Sequence, residues 1–182
     1  MKNMYNMIEP KNLKEVISKE ELSLRITEIG AEISDSYNLE SVVFIVVLNG
    51  SFIFASDLIR AVNIECEVDF IKVTSYSGMK SEGKINFEKD LSTEIAGKNI
   101  IIVEDIIDTG NTISFIKEFI DNKNPKSLKI ATLLLKPKIA KLDFKIDWVG
   151  FEISPEFVVG YGLDYNQKLR NLNAVYRLGG VN

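Results

Sequence analysis

Residues 42–48 read Val-Val-Phe-Ile-Val-Val-Leu, an unbroken apolar run rich in β-branched side chains and stopped by Asn49-Gly50-Ser51. Such a run suits a strand covered on both faces, as in a parallel sheet with helices above and below it. It is far shorter than the roughly 20 apolar residues that a membrane-spanning helix needs. A chain containing it must supply two apolar layers, and the flanking sequence does so. Leu22, Ile26, Ile29 and Ile33 recur on one helical face behind Ser18 and Glu21, which have the spacing of a capping box. Phe52, Ala55, Leu58, Ile59 and Val62 give a second helix, and Ile113, Ile116 and Ile120 a third within residues 112–122. Further strands are predicted over 65–75, 85–87, 100–103, 128–135, 148–153 and 175–178, and residues 76–84 read as a polar, glycine-containing loop. Before residue 42 the pattern predicts one helix and nothing else. Strands alternating with helices define an α/β fold with a mostly parallel central sheet flanked by helices.

Composition narrows the chemistry. The chain has 182 residues, a formal net charge of −4, no histidine and one cysteine, Cys66. Without histidine, a Ser-His-Asp or Cys-His apparatus cannot be built, and any metal must sit on oxygen ligands, which favours Mg²⁺, Ca²⁺ or Mn²⁺. Cys66 lies in an apolar strand pattern and reads as inert core; one cysteine and no apolar leader predict a soluble cytoplasmic protein. A mildly acidic chain is a poor general binder of nucleic acid, and nothing suggests a membrane partner. With no repeat, linker or composition break, residues 1–182 read as a single domain.

In open parallel sheets ligands bind beyond the carboxyl ends of the strands. After residues 100–103 comes Glu104-Asp105-Ile106-Ile107-Asp108-Thr109-Gly110-Asn111-Thr112. Three carboxylates therefore crowd a strand end, and a short hydroxyl- and glycine-containing turn then opens a helix. Amides at a helix start cradle phosphate. The carboxylates would repel a phosphate but suit sugar hydroxyls and a bridging divalent ion. The string thus fits a phosphorylated sugar with a metal; it is neither a Walker A loop nor G-x-G-x-x-G.

This string resembles the phosphoribosylpyrophosphate-binding signature of the type I phosphoribosyltransferases. VLNGSFIFASDL (47–58), SYSG (75–78), INFEKDL (85–91), LLLKPK (133–138) and FVVGYGLDYNQKLRNL (157–172) are similar, in order, to segments of the hypoxanthine-guanine phosphoribosyltransferases. The resemblance covers residues 13 to 180. It implies the type I fold, with a small hood formed by the N- and C-terminal segments, and a homodimer or homotetramer. It also implies a Mg²⁺-dependent reaction of hypoxanthine or guanine with phosphoribosylpyrophosphate, giving IMP or GMP and pyrophosphate.

The resemblance also assigns residues. Glu104 and Asp105 match the pair at the ribose hydroxyls and metal, and Asp164 a second metal-site carboxylate beside the purine. Asp108 matches an acid/base near purine N7, a role suited to a carboxylate in a chain without histidine. Together with Thr109, Gly110, Asn111 and Thr112 it matches the 5′-phosphate loop. Asn49, Gly50 and Arg170 match the pyrophosphate contacts, and Ser75 and Tyr76 begin a loop that closes over the centre, with Lys80 and Lys84 as electrostatic helpers. Lys136 matches the lysine at purine O6, with Lys138 the competing choice, Phe157 the ring stacked on the base, and Val158 the backbone carbonyl at the exocyclic position. Asn49 stands where many members carry Lys or Arg; backbone contacts to pyrophosphate survive that difference, a contact by a long cation does not. Trp148 is predicted to be core or interface. The rival reading is a regulator of the same fold that senses phosphoribosylpyrophosphate; no basic cluster precedes residue 42 to support one.

Overall fold

The computed structural model describes residues 13–75 and 85–179. In chain order the elements are β1 (Leu13–Ile17), α1 (Lys19–Tyr37), β2 (Val42–Leu48), α2 (Phe52–Ala61), β3 (Cys66–Ser75), β4 (Ile85–Lys89), β5 (Asn99–Ile107), α3 (Asn111–Asp121), β6 (Ser127–Leu135), β7 (Trp148–Glu152), β8 (Val158–Val159) and β9 (Val175–Leu178). The apolar run is β2, and it lies inside a six-stranded sheet of order β4-β3-β2-β5-β6-β7. All neighbours are parallel except β3 and β4.

The two-sided burial inferred for this run is present. Val42, Phe44 and Val46 pack with Ile101 and Val103 beneath α1 and α2, against Leu22, Ile29, Ile33, Phe54 and Leu58. Val43, Ile45 and Val47 pack with Ile100 and Ile102 beneath Ile113, Ile116 and Ile120 of α3. Each fully buried aliphatic side chain contributes about 1.5–3 kcal/mol relative to exposure. The predicted capping box closes α1: the Glu21 N–H donates to Ser18 Oγ at 3.2 Å, and the Ser18 N–H to the Glu21 carboxylate at 2.8 Å.

Connectivity positions the site. From β2 the chain passes through α2 to β3 on one side, whereas β5 lies on the other side of β2 and leads through α3 to β6. The strand order therefore switches between β2 and β5, and their carboxyl ends flank a crevice.

Two expectations are corrected. The region before residue 42 is not a helix alone. β1 precedes α1 and joins β9 and β8 in a separate antiparallel sheet, the hood. Among the β1 residues only Ile17 is buried, so the strand carries almost no periodic signal. Secondly, β5 does not stop at Val103. β6 continues to offer partners, with Glu104 opposite Thr132, Ile106 opposite Leu134 and Ile107 opposite Leu135, so Glu104 and Asp105 lie on the strand rather than beyond it. Trp148 is core, buried with its ring 6.5 Å from that of Tyr37. Cys66 is half-buried on β3, and burial pushes its thiol up. Among the described residues no helix is long and apolar enough to cross a membrane.

One face remains uncovered. Cys66, Val68 and Phe70 are in register with Val42, Phe44 and Val46, which places them on the α2 side of the sheet. α2 packs over β2 and β5. Val68 and Phe70 stay exposed, as does Phe52 at the start of α2.

Candidate active site

Three chain segments meet at the crevice without room for a side chain between them. Gly50 follows β2, and a Cβ placed on it would lie 1.6 Å from Oδ2 of Asp105 on β5. A Cβ on Gly162 of the segment leading to β9 would lie 2.0 Å from the Gly50 carbonyl oxygen. Gly162 has φ of +100° and follows Gly160 at +95° and Tyr161 at +50°, so the turn needs glycine for its backbone as well as for the contact. The Leu48-Asn49 peptide is cis. Asn49 is exposed and Gly50 buried. The buried Ser51 hydroxyl donates back to the Val47 carbonyl and does not cap α2, whose first-turn amides stay open beside Gly50.

Glu104 and Asp105 turn back on their own strand. Glu104 Oε1 accepts the Asp105 N–H at 3.1 Å, and Asp105 Oδ1 accepts the Ile106 N–H at 2.9 Å. Neither carboxylate has an ion-pair partner among the described residues. Burial, and then the neighbouring Asp105 charge, pushes the Glu104 carboxyl well up. Burial also raises Asp105, while hydrogen bonds from Glu104 and the Ile106 N–H, and then the charge of Arg170, pull it back.

Beyond β5 the chain turns through Asp108, Thr109 and Gly110 into α3. Gly110 is the N-cap at φ of +93° and no side chain caps the helix. The Asn111 N–H makes only a 3.4 Å contact to Thr109 Oγ1, and the first bond of the helix is from Ser114 N–H to the Gly110 carbonyl at 3.0 Å. The open amides of this turn face a small cleft of about 70 Å³, lined by Glu104, Asp108, Thr109, Gly110 and Thr112 among others. Partial positive charge at a helix start and free donors make an anion cradle. Asn111 and Thr112 are exposed, and the Lys141 N–H donates to the Thr109 carbonyl at 3.0 Å, bracing the turn from behind.

Lys136 follows β6. It is 5% exposed, and its Nζ donates to Asp108 Oδ2 at 2.9 Å across the mouth of the same crevice. Lys138, the competing choice, is exposed and does not share this placement. From the hood, Val158 is buried on β8 opposite Arg177 of β9. Phe157 just before it is 43% exposed, its ring meeting Tyr165 edge-on at 6.0 Å, so the ring is not core. Asp164 and Arg170 form an ion pair at 2.6 Å, and Arg170 also donates to the Gly162 carbonyl at 2.7 Å.

The structure thus brings Gly50, Glu104, Asp105, the turn at 108–112, Lys136 and Arg170 to one crevice. It does not gather Glu104, Asp105 and Asp164 into one cluster: among the described residues no three acidic, histidine or cysteine side chains converge as metal ligands. Ser75 ends β3, while Tyr76 and the remainder of the 76–84 loop, with Lys80 and Lys84, lie outside the described residues. Sequence reasoning passed over Gly162 as a contact residue. A glycine on each side of Tyr161 was the available signal.

Comparison with known proteins agrees with this geometry. The family model described as Phosphoribosyl transferase domain matches residues 13–166, and the chain belongs to that family. It is 46% identical over 163 residues to a hypoxanthine phosphoribosyltransferase of Buchnera aphidicola, covering 88% of this chain and 92% of that protein. It is 43% identical over 171 residues to a hypoxanthine-guanine phosphoribosyltransferase of Aquifex aeolicus, covering 93% and 96%. A crystal structure of a hypoxanthine-guanine phosphoribosyltransferase from Bacillus anthracis superposes with a TM-score of 0.86 at 42% identity, covering 91% of this chain and 98% of that one. Within the family the chain falls in the hypoxanthine-guanine group, transferases of purine salvage.

Two outcomes follow from the crevice. Gly50→Ala must displace either Asp105 or the 49–51 loop, and kcat/KM for nucleotide formation is expected to fall about a hundredfold, the usual effect of a displacement near 1 Å; steady-state assay of the purified variant checks this. For Glu104 the sign is fixed by the raised carboxyl. The folded state retains a proton that the unfolded state has released, so stability falls as pH rises through the window above the ordinary carboxylate value. In urea titrations with chelator present, wild type is expected to lose more stability between about pH 5 and about pH 8 than Glu104→Gln. Parallel curves would contradict the burial argument.

Proposed function

We propose that the chain, as one cytoplasmic domain, transfers the phosphoribosyl group of phosphoribosylpyrophosphate to N9 of hypoxanthine or guanine, forming IMP or GMP and pyrophosphate with Mg²⁺. The observation that carries this reading is the Lys136 and Asp108 pair set beside an uncapped helix start and the buried Glu104 with its half-buried neighbour Asp105. The α3 amides and the Thr109 and Thr112 hydroxyls take the 5′-phosphate. Glu104 and Asp105 take the ribose hydroxyls. The amides at Gly50 and the α2 start, with the Arg170 guanidinium, take the pyrophosphate. The Asn49 side chain, exposed at the rim, replaces the long cation that many relatives carry, so backbone donors do this work.

The base is read on two adjacent atoms. A 6-oxopurine presents O6 and N7 along one edge, whereas a 6-aminopurine presents an amino donor at that place. The Lys136 ammonium donates to O6, and Asp108 accepts the N7 proton as N9 attacks C1′. An amino group facing the ammonium would leave two donors opposed and unsatisfied. Phe157 offers its exposed ring for stacking, and the Val158 carbonyl faces the 2-position. Fixing base and sugar on opposite walls supplies the orientation term of the rate.

The donor set fits Mg²⁺. It is all carboxylate oxygen, and the absence of a three-ligand cluster among the described residues suits an ion that keeps waters and phosphate oxygens in its shell. Glu104 and Asp105 on one side, and Asp164 on the other, would hold it; when bound, it supplies neutralisation of the leaving pyrophosphate. The loop at 76–84, with Ser75 and Tyr76 at its start, would exclude water. A homodimer or homotetramer is supported by the uncovered apolar face of Val68 and Phe70 beside Phe52.

Incubation with phosphoribosylpyrophosphate, Mg²⁺ and each of hypoxanthine, guanine, xanthine and adenine tests the reading, with nucleotide formed from the 6-oxopurines as the expected result. Asp108→Asn is expected to lower kcat by about a hundredfold or more, the range of general acid-base catalysis, with a smaller effect on purine binding. Equal activity would remove the acid/base role. Lys136→Ala is expected to degrade hypoxanthine use without producing a fast adenine enzyme; a retained 6-oxopurine preference would assign selection to backbone groups.

A further inference from the structure

The segment 160–172 carries Asp164 and Arg170 to the crevice, yet it is bonded almost wholly to itself. The Tyr161 N–H donates to the Leu172 carbonyl at 2.8 Å, Gly162 to Arg170 at 2.9 Å, and Gly160 and Leu163 to each other at 3.0 and 3.1 Å. The Arg170 side chain bonds within the segment too, to Gly162, Asp164 and Gln167. Among the described residues one hydrogen bond leaves the segment for the body of the fold: the Tyr161 hydroxyl donates to Asp57 Oδ2 on α2. The other oxygen of Asp57 is held by Arg60 on the same helix. Behind this contact a cavity of about 580 Å³ separates α1, α2 and the 161–173 stretch, bordered by Lys19, Thr27, Asp57, Arg60, Tyr161 and Asn173. Tyr161 and Leu163 are buried with Phe54, Leu58 and Val158, so apolar packing also seats the turn, and the Tyr161 hydroxyl adds a directional contact to α2.

We infer that Tyr161 and Asp57 form a positioning pair that fixes Arg170 and Asp164 over the pyrophosphate loop. α2 begins immediately after Gly50, and the Gly162 backbone touches the Gly50 carbonyl. Tying Tyr161 to the second turn of α2 holds the two backbones at that spacing. Burial and the Asp57 carboxylate push the phenol up, so it stays a donor throughout the working range. The pair touches no substrate atom; it acts through the height of Arg170 above Gly50. Lys136 and Asp108, which read O6 and N7, belong to other elements, whereas Phe157 leans on Tyr165 of this segment. Loss of the tether thus weakens the hold on the donor and its pyrophosphate more than the hold on the purine.

This inference rests on the donor reading given above, and its test separates the two. Tyr161→Phe removes the hydroxyl and keeps the ring; Asp57→Asn keeps an acceptor oxygen. Tyr161→Phe is expected to raise KM for phosphoribosylpyrophosphate about tenfold, the loss of one hydrogen bond to a charged group. KM for hypoxanthine should rise clearly less than KM for the donor, and amide exchange at 160–172 should quicken. Asp57→Asn should lie between wild type and Tyr161→Phe on both measures. Unchanged donor KM, or unchanged exchange, in Tyr161→Phe overturns the pairing role. So does an equal rise in both KM values accompanied by a lower Tm, the mark of a merely loosened fold. Wild-type protein that forms no nucleotide overturns the donor reading, and exchange at 160–172 still decides whether the tether exists.

Discussion

The molecule depends on a point where backbone, not side chain, must fill space. Gly50 lies beneath the Asp105 carboxylate, and Gly162 lies against Gly50. The loop after β2, the end of β5 and the turn before the 163–172 segment are therefore stacked at a separation that any Cβ would break. The topology brings them there because the strand order switches between β2 and β5, so their carboxyl ends open together. Packing energy from the two apolar layers of the sheet holds the strands, and the glycines convert that rigidity into a fixed spacing between donors and carboxylates.

The acidic pair is the electrostatic counterpart of that spacing. Two adjacent carboxylates, one of them 6% exposed and neither ion-paired among the described residues, are unfavourable when ionised together in a buried place. Their presence is understandable as a site kept ready for hydroxyl donors and a cation. Lys136 and Asp108 are different, since ammonium and carboxylate satisfy each other at 2.9 Å until a ligand with matching acceptor and donor atoms intervenes. One wall of the crevice thus gains when it is filled, and the other exchanges one set of partners for another.

Much of this was legible from residue order. The apolar run at 42–48 specified the sheet because a two-sided burial pattern has few alternatives, and helical spacing at 22–33 and 113–120 specified its cover. The acidic string and the helix start behind it marked the crevice, because no core requires carboxylates at a strand end. What stayed hidden lacked a local signal. β1 buries a single side chain, and its partner β9 is at the other end of the described chain. The extension of β5 through Glu104 and Asp105 comes from the partners that β6 provides, which override the residues' own low preference for strand. Asp57 and Tyr161 are far apart in sequence, and each reads alone as an ordinary helix acid and a core aromatic.

The hood has a consequence for biosynthesis. Among the described residues β1 pairs only with β9, and β8, which carries Val158 and follows Phe157, also pairs with β9. During translation β1 leaves the ribosome without its mate and must wait for β9, more than 150 residues later. The parallel body, with its phosphate-holding half, has all its strands available earlier. A nascent chain can therefore own its phosphate-holding turn and Lys136 before Phe157, Val158 and Arg170 arrive to complete the walls around base and pyrophosphate.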